Sequence, residues 1–131
     1  MTSNLAKKIL SIEDDAFLSS LVSVKLIEAG FTVITAATGA DGITKAKAEL
    51  PDLILLDLML PDMGGLEILK LVKEDPALKN TLVIILSNMG GREEIEEGMK
   101  LGATSYLVKA NILPHEVVEM VEAQLTQQKK G

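Results

Sequence analysis

Polar side chains that could bind a metal ion or a phosphate group directly follow four short apolar segments of this sequence. They are Glu13, Asp14 and Asp15 after residues 9–12, Asp57 after residues 53–56, Ser87 and Asn88 after residues 82–86, and Lys109 after residues 106–108. Two carboxylates about 4 Å apart repel each other by about 4 kcal/mol at an effective dielectric constant of about 20. A group of three or four carboxylates therefore requires cations, and one lysine supplies only part of the positive charge.

A divalent ion with oxygen ligands would supply the remaining charge. Mg²⁺ suits such a site because proteins commonly hold it through one or two carboxylates, waters and phosphate oxygens, and Mn²⁺ could replace it. Carboxylates, a divalent ion, a lysine and a hydroxyl are also the groups of phosphoryl transfer, in which the protein mainly positions reactants and neutralises charge. We expect Asp57 to be the acceptor, because it lies deepest in the group.

Each of these residues also has a purely structural explanation when it is considered alone. Asp14 or Asp15 could cap the helix that follows, since acidic side chains stabilise helix N-termini. Ser87 could cap a later helix, and Lys109 could be an ordinary surface charge. Helix capping does not explain why acidic residues on different strands should face each other, so the joint pattern favours a shared site.

The apolar segments alternate with helical patterns five times along the chain. Continuous apolar runs of this length are typical of parallel strands buried on both faces. We predict strands over residues 9–12, 31–35, 53–56, 82–86 and 106–108. Alternating strands and helices with right-handed connections predict an α/β fold with helices on both faces of one parallel sheet. In such doubly wound sheets the binding site lies at the carboxyl-terminal ends of the strands, where these polar residues converge.

The predicted helices differ in how well apolar residues anchor them. Helical patterns cover residues 17–26, 40–50, 66–72, 92–101 and 117–125. The helix over residues 92–101 has few apolar side chains, follows Gly90-Gly91 and contains Gly98. Because glycine inside a helix costs about 1 kcal/mol relative to alanine, we expect this helix to be the most mobile.

Length and composition limit the class of protein. The 131 residues are predicted to form a single domain, with a core over residues 7–125 and a polar tail over residues 126–131. The absence of cysteine excludes disulfides and thiolate metal sites. The net charge of −6 and the few aromatic residues argue against direct binding of nucleic acid. Without a signal peptide or a long apolar run, we expect a cytoplasmic protein with no membrane partner.

Four motifs together resemble the receiver domain of two-component response regulators, over residues 7 to about 125. They are Ile12-Glu13-Asp14-Asp15, Asp57-Leu-Met-Leu-Pro-Asp-Met-Gly-Gly65, Ser87, and Gly102-Ala-Thr-Ser-Tyr-Leu-Val-Lys109. The resemblance implies a flavodoxin-like (βα)5 fold whose parallel sheet has the strand order 2-1-3-4-5. It also implies a phosphoacceptor domain of a phosphorelay, which is not an enzyme except that it catalyses its own phosphorylation and dephosphorylation.

The resemblance assigns roles to individual residues of the acidic group. Asp57 would accept a phosphoryl group from a histidine of a partner histidine kinase or histidine phosphotransfer protein. Asp14 would bind Mg²⁺ directly and Glu13 through water, and Asp57 and the backbone carbonyl of Met59 would complete the protein's share of the metal ligands.

The resemblance also implies a switch that responds to the phosphate. Lys109 would pair with one phosphate oxygen, and the hydroxyl of Ser87 would hydrogen-bond another. Tyr106 would turn inward as Ser87 moves toward the phosphate. The fourth helix, fifth strand and fifth helix would then form the output surface for a downstream protein or an effector domain.

Two residues depart from the family pattern. Ala110 follows Lys109 where the family usually has a proline, commonly with a cis peptide bond. A cis bond without proline costs about 3 kcal/mol or more, so the direction of the lysine is open. Asn88 follows Ser87 where a small residue is usual, and we expect slower phosphorylation or dephosphorylation than in an Asn88→Ala variant.

Three other functions stay open at this point. An aspartate-nucleophile phosphohydrolase also forms a phosphoaspartate, but it has a second acid two residues after the nucleophile, where this chain has Met59. A flavin carrier of the same fold needs a Ser/Thr/Gly phosphate loop after the first strand, where this chain has three acids. A degenerate receiver would bind proteins without being phosphorylated.

His115 is expected to lie on the surface away from the acids, and it is not expected to be the phosphodonor.

Overall fold

Five parallel strands form the centre of the molecule. The computed structural model describes the backbone of residues 7–130 and the side chains of residues 7–127. The strands are β1 (Lys8–Ile12), β2 (Thr32–Ala36), β3 (Leu53–Leu56), β4 (Leu82–Ser87) and β5 (Ser105–Val108). They form one sheet in the order β2-β1-β3-β4-β5, with every neighbouring pair parallel. The predicted flavodoxin-like topology is confirmed.

Helices follow the strands in the predicted alternation. They are α1 (Ala16–Glu28), α2 (Gly39–Glu49), α3 (Gly65–Glu74), α4 (Arg92–Lys100) and α5 (Pro114–Lys130), with a 3₁₀ turn at Lys109–Asn111. Helix α5 continues through Lys130, so the backbone of residues 126–130 in the expected polar tail is helical. Gln and Lys are favourable helix formers, and neither Gly nor Pro interrupts the segment. Residues 1–6 and 131 of the predicted domain lie outside the described residues.

Two apolar clusters fill the spaces between the sheet and the helices. One lies against α2 and α3 and includes Ile54 and Ile68, and the other lies against α1 and α5 and includes Leu26, Leu55 and Val121. Adjacent residues of β3 enter opposite clusters because successive side chains of a strand point to opposite faces. All four residues of β3 are buried, as the continuous apolar run predicts.

The fourth helix has the weakest apolar anchoring of the five, in agreement with its sequence. The residue of α4 that is buried is Gly98, which lies against the side chains of Ile85 and Tyr106. The mobility of α4 stays a prediction. Within residues 7–130, no helix is both long enough and apolar enough to cross a membrane.

Candidate functional site

Glu13 and Asp57 directly follow two neighbouring strands and lie at the same edge of the sheet. Ile12 of β1 is paired with Leu56 of β3, so the residues that follow them occupy equivalent positions. The N–H of Asp57 donates to the carbonyl oxygen of Ile12 over 3.0 Å. Glu13 is 6% exposed and Asp57 is 3% exposed. The strand register therefore buries two acidic residues side by side at the carboxyl-terminal edge.

Lys109 supplies a cation to both buried carboxylates. Its Nζ lies 2.9 Å from Oε2 of Glu13 and 3.1 Å from Oδ2 of Asp57. The described residues contain no cis peptide bond, so the peptide between Lys109 and Ala110 is trans, and the lysine contacts both acids in this form. Ala110 itself is exposed in the turn after β5.

Asp14 adds a third carboxylate to the site. One carboxylate oxygen from each of Glu13, Asp14 and Asp57 lies within 4.8 Å of the others, and we call these three residues the acidic cluster. Asp14 is exposed and opens the cluster to solvent. Asp15 is the helix cap instead: its carboxylate accepts from the N–H of Leu18 over 3.1 Å. The capping explanation thus holds for Asp15, and the acidic cluster is a candidate metal site.

Burial and charge together shift the pKa values of the paired groups. Burial raises the pKa of Glu13 above its usual value. The hydrogen bonds from Lys109 and from the Asp15 amide oppose that shift, and the charge of Asp57 adds to it. Burial alone would lower the pKa of Lys109, but its hydrogen bonds to Glu13 and Asp57 raise that pKa above the usual lysine value. The acidic cluster therefore favours a bound positive charge.

The raised pKa of Glu13 predicts a specific pH dependence of stability when no divalent ion is present. A carboxyl group with a higher pKa in the folded state binds protons more tightly there. Stability therefore rises as the pH falls through the folded pKa toward the unfolded value near 4.5. We expect wild type to gain stability relative to Glu13→Gln as the pH is lowered from about 7 to about 5. Urea unfolding of both proteins in EDTA measures this. A stability difference between the two proteins that does not change with pH would contradict the prediction.

Ser87 and Tyr106 meet at the segment that connects β4 to α4. The side chain of Ser87 is fully buried, and its hydroxyl accepts from the N–H of Met89 over 3.2 Å. The hydroxyl of Tyr106 donates to the backbone carbonyl oxygen of Met89. Burial raises the pKa of Tyr106, a hydrogen bond with Ser87 opposes the shift, and nearby negative charges add to it. The two residues predicted to form a switch are therefore neighbours, and Asn88 lies exposed beside them.

Comparison with known proteins decides the family. The model of the response regulator receiver domain matches residues 9–122. This chain belongs to the response regulator receiver domain family. Its function is accordingly that of a receiver domain in two-component signalling, and a phosphoacceptor role is consistent with its homologues.

Sequence relatives and solved structures both match most of this chain. The alkaline phosphatase synthesis transcriptional regulatory protein PhoP of Bacillus subtilis is 35% identical over 119 residues, which cover 89% of this chain and 48% of PhoP. A CheY-like receiver domain protein of Methanospirillum hungatei has a TM-score of 0.88 at 28% identity, covering 95% of this chain and 97% of that one. The Mn²⁺-bound form of response regulator Rcp1 has a TM-score of 0.79 at 29% identity, covering 89% and 92%. The receiver spans about half the length of the curated relatives it matches.

The β3–α3 loop of the receiver (residues 57–64) is closed by backbone contacts. Met59 and Gly64 form an antiparallel bridge, and the N–H of Gly65 donates to the carbonyl oxygen of Leu58 over 3.0 Å. The N–H of Met59 donates to Oδ1 of Asp57 over 3.1 Å, and Met59 as a whole is 59% exposed. The Met59 amide thus faces the acidic cluster, and the metal-binding role of its carbonyl stays a prediction.

Asp62 belongs to the same loop, and its contacts are not indicated by the sequence. Its two carboxylate oxygens accept hydrogen bonds from the N–H groups of Gly39 and Ala40 at the start of α2. An acid after a proline indicates a turn, but no sequence signal pairs it with a helix that begins much earlier in the chain. His115 lies exposed at the start of α5, on the surface as expected.

Proposed function

We propose that Asp57 is the phosphoacceptor of this receiver and that the donor is a histidine of a partner histidine kinase or histidine phosphotransfer protein. One observation carries the proposal: the buried carboxylates of Asp57 and Glu13 share the ammonium group of Lys109. A buried pair of acids is costly unless cations balance it. Such an arrangement favours the binding of additional positive charge beside Asp57. That charge would neutralise the negative charge of an incoming phosphoryl group.

In this proposal Glu13, Asp14, Asp57 and the carbonyl of Met59 hold Mg²⁺. The acidic cluster fits a hard divalent ion, because it offers three carboxylate oxygens within 4.8 Å of one another. The exposed Asp14 leaves room for the waters and phosphate oxygens that Mg²⁺ usually retains. Rcp1 was solved in a Mn²⁺-bound form, and Mn²⁺ shares the preference for oxygen ligands. The bound ion would neutralise negative charge on the phosphoryl oxygens.

The transfer step uses the carboxylate as a nucleophile. An oxygen of Asp57 attacks phosphorus, and the bond between phosphorus and the donor imidazole nitrogen breaks. The electron pair of that bond stays on the nitrogen, which takes up a proton from solvent. Lys109, whose raised pKa keeps it cationic, contacts one phosphoryl oxygen, and the hydroxyl of Ser87 donates to another.

We propose that a movement of Ser87 toward the phosphate operates the switch. The Ser87 hydroxyl and the Tyr106 hydroxyl both hydrogen-bond the backbone of Met89, just before α4. A shift of Ser87 toward the phosphate therefore displaces the start of α4 and lets Tyr106 turn inward. The surface formed by α4, β5 and α5 then binds a downstream protein or an effector domain. Coupling of this kind needs an element with two arrangements of similar energy, and the weakly anchored α4 suits it.

We propose that residues 1–131 form a single cytoplasmic receiver domain whose direct partners are proteins and not nucleic acid, since the net charge is −6. Its chemistry is limited to its own phosphorylation and dephosphorylation. Relatives such as PhoP are named as transcriptional regulators, and this chain spans 48% of PhoP.

A time course with a small phosphodonor tests the proposal. The protein is incubated with Mg²⁺ and acetyl phosphate, while protein-bound phosphate and released inorganic phosphate are both followed. A receiver gains one phosphate per chain, hydrolyses it slowly, and loses the reaction in Asp57→Asn. Continuous rapid release would identify a phosphohydrolase instead. No incorporation would identify a degenerate receiver that binds proteins without phosphorylation.

A further inference from the structure

Asp62 connects the β3–α3 loop to the first turn of α2. Its Oδ1 accepts from the N–H of Gly39 over 2.7 Å, and its Oδ2 accepts from the N–H of Ala40 over 2.9 Å. The first N–H groups of a helix have no partner inside the helix. The hydroxyl of Thr38, the local cap of α2, serves a third group, the N–H of Asp41, over 3.1 Å. Two of the free donors of α2 are therefore satisfied by a residue of another loop.

The contact between the loop and α2 is also a packing contact. A Cβ atom at Gly39 would meet the side chain of Met63, which follows Asp62, and would lie 2.9 Å from Cδ1 of Ile68. Because Gly39 has no side chain, the loop can occupy the space beside the first residue of α2. The carboxylate hydrogen bonds and the Met63 side chain hold this part of the loop against the first turn of α2. The lowered pKa of Asp62, caused first by the Gly39 and Ala40 hydrogen bonds, agrees with this geometry.

The start of the same loop, at Met59, faces the acidic cluster. The N–H of Met59 donates to the carboxylate of Asp57, and Met59 is bridged to Gly64 across the loop. Asp62 lies within this closed loop, between the two bridged residues. Because this bridge closes the loop, a displacement of Asp62 from α2 would also move the Met59 peptide.

We infer that Asp62 is a positioning residue, which holds the β3–α3 loop on α2 and thereby fixes the Met59 peptide relative to the acidic cluster. The inference rests on the proposed function, in which the Met59 carbonyl binds the divalent ion. Asp62 does not touch the ion in this scheme and acts through the backbone. Residues that orient metal ligands in this way typically change metal affinity by about 10-fold to 100-fold when they are removed.

Calorimetric titration of the unphosphorylated protein with MgCl₂ tests the inference. Asp62→Ala should weaken Mg²⁺ binding by about tenfold, while Asp62→Asn, which retains one acceptor oxygen, should lose less. Asp75→Ala is the matched control, because Asp75 also accepts from a loop amide, the N–H of Ala77 over 2.8 Å, but lies between α3 and β4. Its Mg²⁺ affinity should equal that of wild type.

The amide resonance of Met59 separates positioning from a simple loss of charge. In ¹H–¹⁵N spectra without Mg²⁺, Asp62→Ala should shift the Met59 resonance, and Asp75→Ala should leave it in place. Unchanged Mg²⁺ affinity in Asp62→Ala would overturn the inference. Equal losses in Asp62→Ala and Asp62→Asn with an unmoved Met59 resonance would overturn it too, since charge alone would then explain the effect. If wild type itself neither bound Mg²⁺ nor accepted phosphate, the proposed function would fail first and this inference with it.

Discussion

Replacement of Lys109 by methionine is expected to lower the free energy of unfolding by about 3 kcal/mol in buffer without divalent ions. Methionine retains most of the apolar side chain but removes the ammonium that lies 2.9 Å from Glu13 and 3.1 Å from Asp57. Both acids are buried, so the variant leaves two neighbouring carboxylates without their cation. The same change should slow phosphorylation by acetyl phosphate by about 100-fold, the typical effect of removing one charge-stabilising group from an active site.

Urea unfolding at neutral pH measures the stability loss, and Lys70→Met provides the control. Lys70 is exposed on α3, so the same chemical change there should alter stability by no more than about 0.5 kcal/mol. Added Mg²⁺ should restore part of the stability of Lys109→Met, because a ligand that binds only the folded state stabilises it. Equal stabilities of Lys109→Met and Lys70→Met would contradict the charge balance described for the site.

Substitution of Gly65 by alanine should destabilise the receiver by about 2–3 kcal/mol, since it overpacks a rigid site. A Cβ atom there would meet the carbonyl oxygen of Asp57 and would lie 2.6 Å from Cα of Leu58. These are backbone atoms and cannot rotate away, so the chain around the phosphoacceptor has to shift. Helix propensity predicts the opposite sign, because alanine is favoured over glycine within helices by about 1 kcal/mol. Phosphorylation should slow in the same variant, since Asp57 itself is displaced.

The neighbouring glycine is a matched control for this prediction. A Cβ atom at Gly64 would have no atom within 4 Å, and the φ of −75° at Gly64 is compatible with alanine. Gly64→Ala should therefore leave stability unchanged or raise it by up to about 1 kcal/mol. Thermal unfolding and the rate of phosphate incorporation distinguish the two variants. The prediction fails if they behave alike.

The sequence was sufficient to predict the sheet and the residues at its edge. Continuous apolar runs such as residues 53–56 identify strands buried on both faces, and their alternation with helices determines a parallel sheet. Because parallel strands end at one edge, the residues after them had to converge, and Glu13, Asp57 and Lys109 do so. These predictions depend on local composition and on a topological rule, both of which can be read from one chain.

Features that depend on contacts between distant segments could not be predicted in the same way. Gly64 and Gly65 look equivalent in the sequence, and only the fold shows that one of them lies against the Asp57 backbone. The hydrogen bonds from Gly39 and Ala40 to Asp62 join segments more than 20 residues apart, and no pattern in either segment indicates the other. The direction of Lys109 was open for the same reason, since the ion pairs that hold it are tertiary contacts.

The position of the incorporated phosphate tests the central claim most directly. Wild-type protein is treated with acetyl phosphate in Mg²⁺ or in EDTA, digested under mild acid conditions, and mapped by mass spectrometry. We expect one phosphoryl group on the peptide that contains Asp57 in the Mg²⁺ sample and no phosphate in the EDTA sample. Phosphate on any other residue, or equal incorporation in EDTA, would contradict the assignment of the acidic cluster as a divalent-ion-dependent phosphoacceptor site.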